Sequence, residues 1–207
     1  MGKIHSVVGV AAMCVLALGA CASSEVSVDD LRHAAHAAGN ACPVDFDVPA
    51  ALRAGGVDRP ARPDGADVEV SDTETPAPDP TAAQLEQGLT PLEATAGLLI
   101  ECHYQVDESK LTVRVVATRI PASLNILVPT ISRTAKMTSA ELSTFVATPP
   151  DPGDTRLTPD NEVALNRLRV DGDGDATLMV SADPALPGLS GEALRSATAA
   201  LADQVNP

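Results

Sequence analysis

Asp171, Asp173 and Asp175 come closer than any other residues of this chain to a familiar metal-binding pattern. Carboxylates at three alternate positions match the first three ligand positions of an EF-hand loop, in which oxygen atoms wrap a hard calcium ion. The rest of that pattern is missing. Ala176 stands where the loop needs glycine for its sharp turn, and Ala182 stands where a bidentate glutamate closes the site. Asp-Gly is also a preferred pair for a tight hairpin turn. The stretch Asp171-Gly172-Asp173-Gly174-Asp175 is therefore expected as a turn first and a calcium site second. His33 and His36, three apart, suit a metal when carried on a helix. No third ligand stands near them, so two solvated histidines are expected. Gly188-Leu189-Ser190-Gly191 has the outline of a nucleophile elbow, without the second glycine at the required spacing or a preceding strand. Ser190 is better placed as a helix N-cap. His103 adjoins Cys102, but that cysteine is wanted for another purpose, so no Cys–His nucleophile pair is expected. The sequence contains no phosphate loop, zinc spacing or dinucleotide fingerprint. No catalytic residue, no cofactor and no enzyme activity are expected.

The four cysteines carry the rest of the chemistry. Residues 1–20 have a thin basic start at Lys3 and an apolar run from about Ile4 to Leu18, the length of a signal peptide and short of the ~20 apolar residues of a membrane span. The run closes on Leu18-Gly19-Ala20-Cys21, which resembles a bacterial lipobox. That resemblance implies that Cys21 is lipidated and becomes the first residue of the mature chain, followed by a short tether to residue 26. Each buried methylene of an acyl chain contributes roughly 0.8 kcal/mol, and two or three chains make attachment effectively permanent. Cys14 leaves with the leader, and Cys21 is taken by the lipid. Cys42 and Cys102 remain as an even pair in an oxidising compartment. A Cys42–Cys102 disulfide is expected, two buried free thiols being the alternative.

About 187 residues follow the leader, enough for one domain with a real core. Asp and Glu number 28 against 14 Lys and Arg, which argues against nucleic acid and against flat docking on anionic lipid headgroups. With no Trp, one Tyr and two Phe, the chain lacks the aromatic anchors of most sugar and nucleobase sites.

The elements that must position these groups are legible in parts. Ser27 and Asp30 open a first helix whose stripe is Val28, Leu31 and Ala35, ended by Gly39-Asn40. Pro49 opens a short second one. Residues 59–83 are rich in Pro, Asp and Thr and are expected as an acidic excursion, with Val68–Val70 as a brief edge strand. Thr90-Pro91-Leu92-Glu93 is a compact helix start. Leu98–Val106 and Leu111–Thr118 form a hairpin across Asp107-Glu108-Ser109. Pro121 opens an amphipathic helix that Pro129 should kink. Thr138 and Glu141 make a capping box. A second strand pair covers about Val163–Val170 and Ala176–Ala182, and a last helix begins at Ser190. The expected class is α+β, a single domain over 27–207 with a mainly antiparallel sheet of about four strands and helices on one face.

Ala41-Cys42-Pro43-Val44-Asp45, Glu101-Cys102-His103-Tyr104-Gln105-Val106 and the Leu18–Cys21 stretch together resemble the small, uncharacterised two-cysteine lipoproteins of actinobacteria. The resemblance implies a lipid-anchored envelope protein and brings no catalytic residues. The expected function is a non-enzymatic binding or adaptor module on the outer face of the cell membrane. Its partners would be the membrane, through the Cys21 lipid, and an envelope protein or ligand, without nucleic acid. The alternative is a carrier or sensor for a hydrophobic or lipidic ligand.

Overall fold

The hairpin expected around Asp107 lies in the inner part of a sheet that extends beyond it on both sides. A computed structural model describes residues 25–205; the leader, Cys14 and Cys21 lie outside the described residues. Helix α1 (Val28–Ala37) and α2 (Val48–Ala54) come first, then β1 (Arg62–Val70), α3 (Pro80–Gln87) and α4 (Pro91–Thr95). Strands β2 (Leu98–Val106) and β3 (Ser109–Thr118) form the hairpin. Next come α5 (Ser123–Thr134), α6 (Ser139–Val146), β4 (Thr155–Leu157), β5 (Val163–Arg167), β6 (Asp175–Asp183) and α7 (Glu192–Ala202). The sheet has six strands in the order β1-β2-β3-β6-β5-β4, all antiparallel, so two three-stranded meanders abut at β3 and β6. The class is α+β, as expected; the strand count of about four is corrected to six.

Local chemistry explains where the elements start. Ser27 accepts the Asp30 N–H at the head of α1. Thr90 and Thr138 each form a full capping box, with Glu93 and Glu141 returning a bond to the cap N–H. These bonds, from the Thr90 and Thr138 backbone first and their hydroxyls second, hold both glutamates below the usual carboxylate range. Ser190 is not the cap of α7: Gly191 takes that place with no side-chain bond, its N–H donating to Asn161 O, and Ser190 is exposed. Helix α5 starts at Ser123 and runs through Pro129. A buried carboxylate on β6 receives its first N–H, so a tertiary contact fixes that start.

One face of the sheet carries Leu98, Ile100, Cys102 and Tyr104 of β2 with Leu111, Val113, Val115 and Ala117 of β3, in register. Helices α1, α2 and α7 cover it, burying Leu31, Leu52, Leu194 and Leu201. Helices α2 and α7 approach so closely that a Cβ on Gly55 would fall 2.3 Å from Ala193 O. The other face carries Val116, Met179, Val163 and Leu165, buried beneath Leu127, Ile131 and Phe145 of α5 and α6. Helices therefore lie on both faces, which corrects the expected one-sided arrangement.

The segment 59–83, expected as a solvated excursion, contains β1 and the start of α3. β1 pairs with β2 from Arg62↔Gln105 to Val70↔Leu98, with a register shift between Pro63 and Ala66. The residues that suggested a loose arm are those that guard an exposed sheet edge: a proline, a bulge, and the outward acids Asp67 and Glu69. The tether expected over 21–26 also ends sooner. Val26 is buried and bridges Val170, its N–H donating to Arg169 O at 2.7 Å.

Candidate functional site

Helices α5 and α6 cover only part of their face of the sheet. Beyond the end of α5 the same face becomes polar, because β2 and β3 place a polar group at every second position. From β2 these are Glu101, His103 and Gln105, and from β3 Lys110, Thr112 and Arg114. Asp67 of β1 stands opposite Glu101, and Ser181 of β6 stands opposite Thr112. Two chains of contacts cross the strands. His103 Nε2 lies 3.0 Å from Asp67 Oδ2, and its Nδ1 lies 3.3 Å from Thr112 Oγ1. Arg114 pairs with Glu101 through Nε and donates to Ser181 Oγ at 3.1 Å through Nη1. His103 is buried, whereas the Asp67 side chain is 81% exposed.

His103, Lys110, Thr112, Arg114 and Ser181 of this polar surface form one wall of a groove of about 670 Å³. The other walls are the end of α5, with Arg133 and Lys136, and Glu162, Asp183 and the chain after β6. Acids outnumber bases two to one over the whole chain, 28 to 14. Along the groove, with the charge of Arg114 answered by Glu101, Lys110, Arg133 and Lys136 stand against Glu162 and Asp183, so that bases outnumber acids there. Lys110, Arg133 and Lys136 have no ion-pair partner among the described residues. Comparison with family models, curated proteins and solved structures finds no match to this chain. The groove's function must therefore be argued from its own chemistry.

Asp67, His103 and Thr112 line up in the order of a nucleophile triad, yet the setting does not suit one. Thr112 sits in the interior of β3, which is paired on both edges. The arrangement offers groups that could bind and orient a ligand.

The residues marked in the sequence are scattered over the fold. Cys42 and Cys102 are joined, with their Cα atoms 5.4 Å apart, on the opposite face of the sheet from the groove. His33 and His36 are exposed on α1. Asp171 and Asp173 stay on the exposed turn, but Asp175 turns inward. It accepts from Ser123 N at 3.0 Å, Ser123 Oγ at 2.6 Å and Arg167 Nε at 3.0 Å. A calcium loop would need all three carboxylates on one ion. His103 was set aside in the sequence because it adjoins Cys102. The signal that marks it is period-2 polarity inside an apolar strand: Glu101, His103 and Gln105 alternate with Ile100, Cys102 and Tyr104.

Tyr104, also on β2, faces the covered side and supplies a direct probe of the fold. Burial first, and the negative charge of Asp45 second, push its phenol up to about 12. The neutral phenol is thus favoured in the folded chain. Between pH 10 and 12 the unfolded chain loses this proton first, so stability is intact below pH 10 and falls as pH rises toward 12. The loss approaches about 2 to 3 kcal/mol at the top of that window. The chain has one Tyr and no Trp, so phenolate absorbance reads this residue alone. A midpoint near 10 in protein that keeps its far-ultraviolet dichroism would refute the assignment.

Proposed function

We propose that this chain is a lipid-anchored, extracytoplasmic binding module of the cell envelope, without enzymatic activity, that holds a small anion in the groove beside α5. The reversal of charge in that groove carries the reading. An acidic surface repels anions generally, so a cation-rich recess in it selects those that fit and approach from one side. The groove is the size of a small-molecule site, and its hydroxyls, Thr112 and Ser181, supply directional hydrogen bonds to oxygen atoms. All three aromatic side chains, Phe46, Tyr104 and Phe145, are buried, which leaves none to stack on a sugar or base. The disulfide fits an oxidising compartment, and the lipobox-like Leu18–Cys21 supplies the anchor. Among the described residues no helix is long and apolar enough to cross a membrane. The carrier of hydrophobic ligands has less support: the apolar-walled recess beside Leu124 and Val146 is only about 210 Å³.

Two measurements test the reading. Cys21→Ser should move the protein from the membrane to the soluble fraction, or leave it unprocessed. Retention in the membrane at the normal mature mass would overturn the anchor. For the groove, amide chemical shifts followed during titration with citrate and with inorganic phosphate should change saturably around Lys110, Arg133 and Lys136. The triple alanine variant at these positions should bind at least tenfold more weakly, and unsaturable, scattered shifts in the native protein would overturn the anion site.

A further inference from the structure

We propose that Asp67, Glu101 and His103 form a binding site for a divalent transition metal ion, separate in chemistry from the anion groove. Each of the three offers a ligand atom, and these atoms all lie within 4.8 Å of one another. The side chains share one face because Glu101 and His103 are two apart on β2 and the register of β1 sets Asp67 opposite Glu101. That register follows the shift between Pro63 and Ala66, so the bulge in β1 is what brings the third ligand into place.

Three observations favour a cation over a purely structural cluster. First, Asp67 and Glu101 are carboxylates directly opposite each other across two strands, which is unfavourable without a positive charge between them. Arg114 answers only Glu101, through one oxygen, and a carboxylate has a second oxygen to offer. Second, His103 is buried and oriented. Its Nε2 is aimed at Asp67 while Nδ1 is within reach of Thr112 Oγ1. Metal-bound histidines are held in this way, one nitrogen on the ion and the other donating to a fixed oxygen. Third, the exposed side of Asp67 leaves room for water to complete the coordination.

In the ion-free protein the Asp67 carboxylate can only accept, so His103 Nε2–H donates to it. With a metal bound, the Nε2 lone pair goes to the ion, the ring proton resides on Nδ1, and Nδ1–H donates to Thr112 Oγ1. One imidazole with two carboxylates suits zinc, manganese, iron or cobalt in the divalent state better than calcium, which takes oxygen alone.

The test is calorimetric titration of EDTA-treated full-length protein with zinc chloride alone, after free thiols are alkylated so that Cys14 and Cys21 cannot contribute. One zinc per chain is expected. Asp67→Asn, an exposed change that leaves the core intact, should weaken binding at least tenfold, as should His103→Gln. Thr112→Val should weaken it about tenfold with the stoichiometry unchanged, since it removes only the oxygen that orients the ring. Zinc should also raise the melting temperature of the native protein and not that of Asp67→Asn. No zinc uptake, or uptake equal in the native and Asp67→Asn proteins, overturns the site. Loss of citrate and phosphate binding in the triple alanine variant, with zinc binding retained, would separate this site from the groove.

Discussion

Replacing Cys42 by serine and Cys102 by alanine together should lower the unfolding free energy by about 4 kcal/mol and the melting temperature by roughly 10 °C. The bridge closes a sequence separation of 60 residues, and cross-linking a loop of that length removes much of the freedom of the unfolded chain. Alanine is the right replacement at 102 because that side chain is fully buried at β2, and a hydroxyl there would be left without a partner. The loop encloses α2, β1, α3 and α4, so the bridge also pins the connector between α1 and α2 against the strand that carries His103. Thermal unfolding followed by circular dichroism, with and without reductant, measures the effect. The native protein in reductant should melt close to the double variant. A melting temperature within a degree or two of the oxidised protein would show that the bridge adds nothing to stability.

Asp175→Ala should cost about 3 kcal/mol, a large effect for a single polar side chain. Asp175 is buried at the first position of β6 and works in two directions. Toward α5 it receives the N–H and hydroxyl of Ser123, satisfying a free donor of a helix whose own N-cap supplies no side chain. A negative charge at that end is also favoured by the helix dipole. Toward the edge of the sheet it pairs with Arg167 of β5. Alanine would strand a buried N–H and a partly buried guanidinium at once, and would leave the Ser123 hydroxyl with Thr177 as its partner. Asp175→Asn should cost less, since its carbonyl oxygen can still accept from Ser123. Denaturant unfolding of the two variants gives both values. An alanine variant as stable as the asparagine variant would show that the oxygen facing Ser123 is idle, and an asparagine variant as stable as the native protein would show the same of the charge and the second oxygen. Added calcium should leave the melting temperature of the native protein unchanged, because Asp175 is engaged inward.

The Cys42–Cys102 bridge and Asp175 show how far the sequence can be read. Helix starts at Ser27, Thr90 and Thr138 were legible because a capping box is local: three or four residues contain both partners. The β2–β3 hairpin was legible for the same reason, its register being set by the turn at Asp107 and Glu108. The role of Asp175 was not, since Ser123 is 52 residues away and nothing in the Asp-Gly turn distinguishes an outward carboxylate from an inward one. Edge strands pose the opposite problem. The proline, the glycine and the acids of β1 keep it from pairing with other chains, and those same residues imitate a loop. The candidate metal site combined both difficulties. Asp67 comes from the misread edge strand, Glu101 and His103 come from a strand whose cysteine drew the attention, and only the sheet brings them together. Arg32 gives a further case. Nothing local marks it out on its helix, and it is buried and donates to the carbonyl oxygens of Ser71, Thr73, Ala96 and Gly97.

Under the proposed lipidation of Cys21, the seating of Val26 against Val170 would make the attachment a short leash. With Cys21 lipidated, the five steps from Cys21 to Val26 reach at most about 17 Å at ~3.5 Å per residue. Val26 is moored at the end of the sheet where Val170 and Gly174 meet Thr118. The groove opens beside Lys110, at the other end of the same strand. Eight residues of β3 separate the two ends, about 27 Å at ~3.4 Å per residue. On that proposal the domain would stand like a short post, its foot held at the headgroups and its open groove at the top. A ligand diffusing through the envelope would reach that height freely, whereas a lipid would have to leave the bilayer to arrive there.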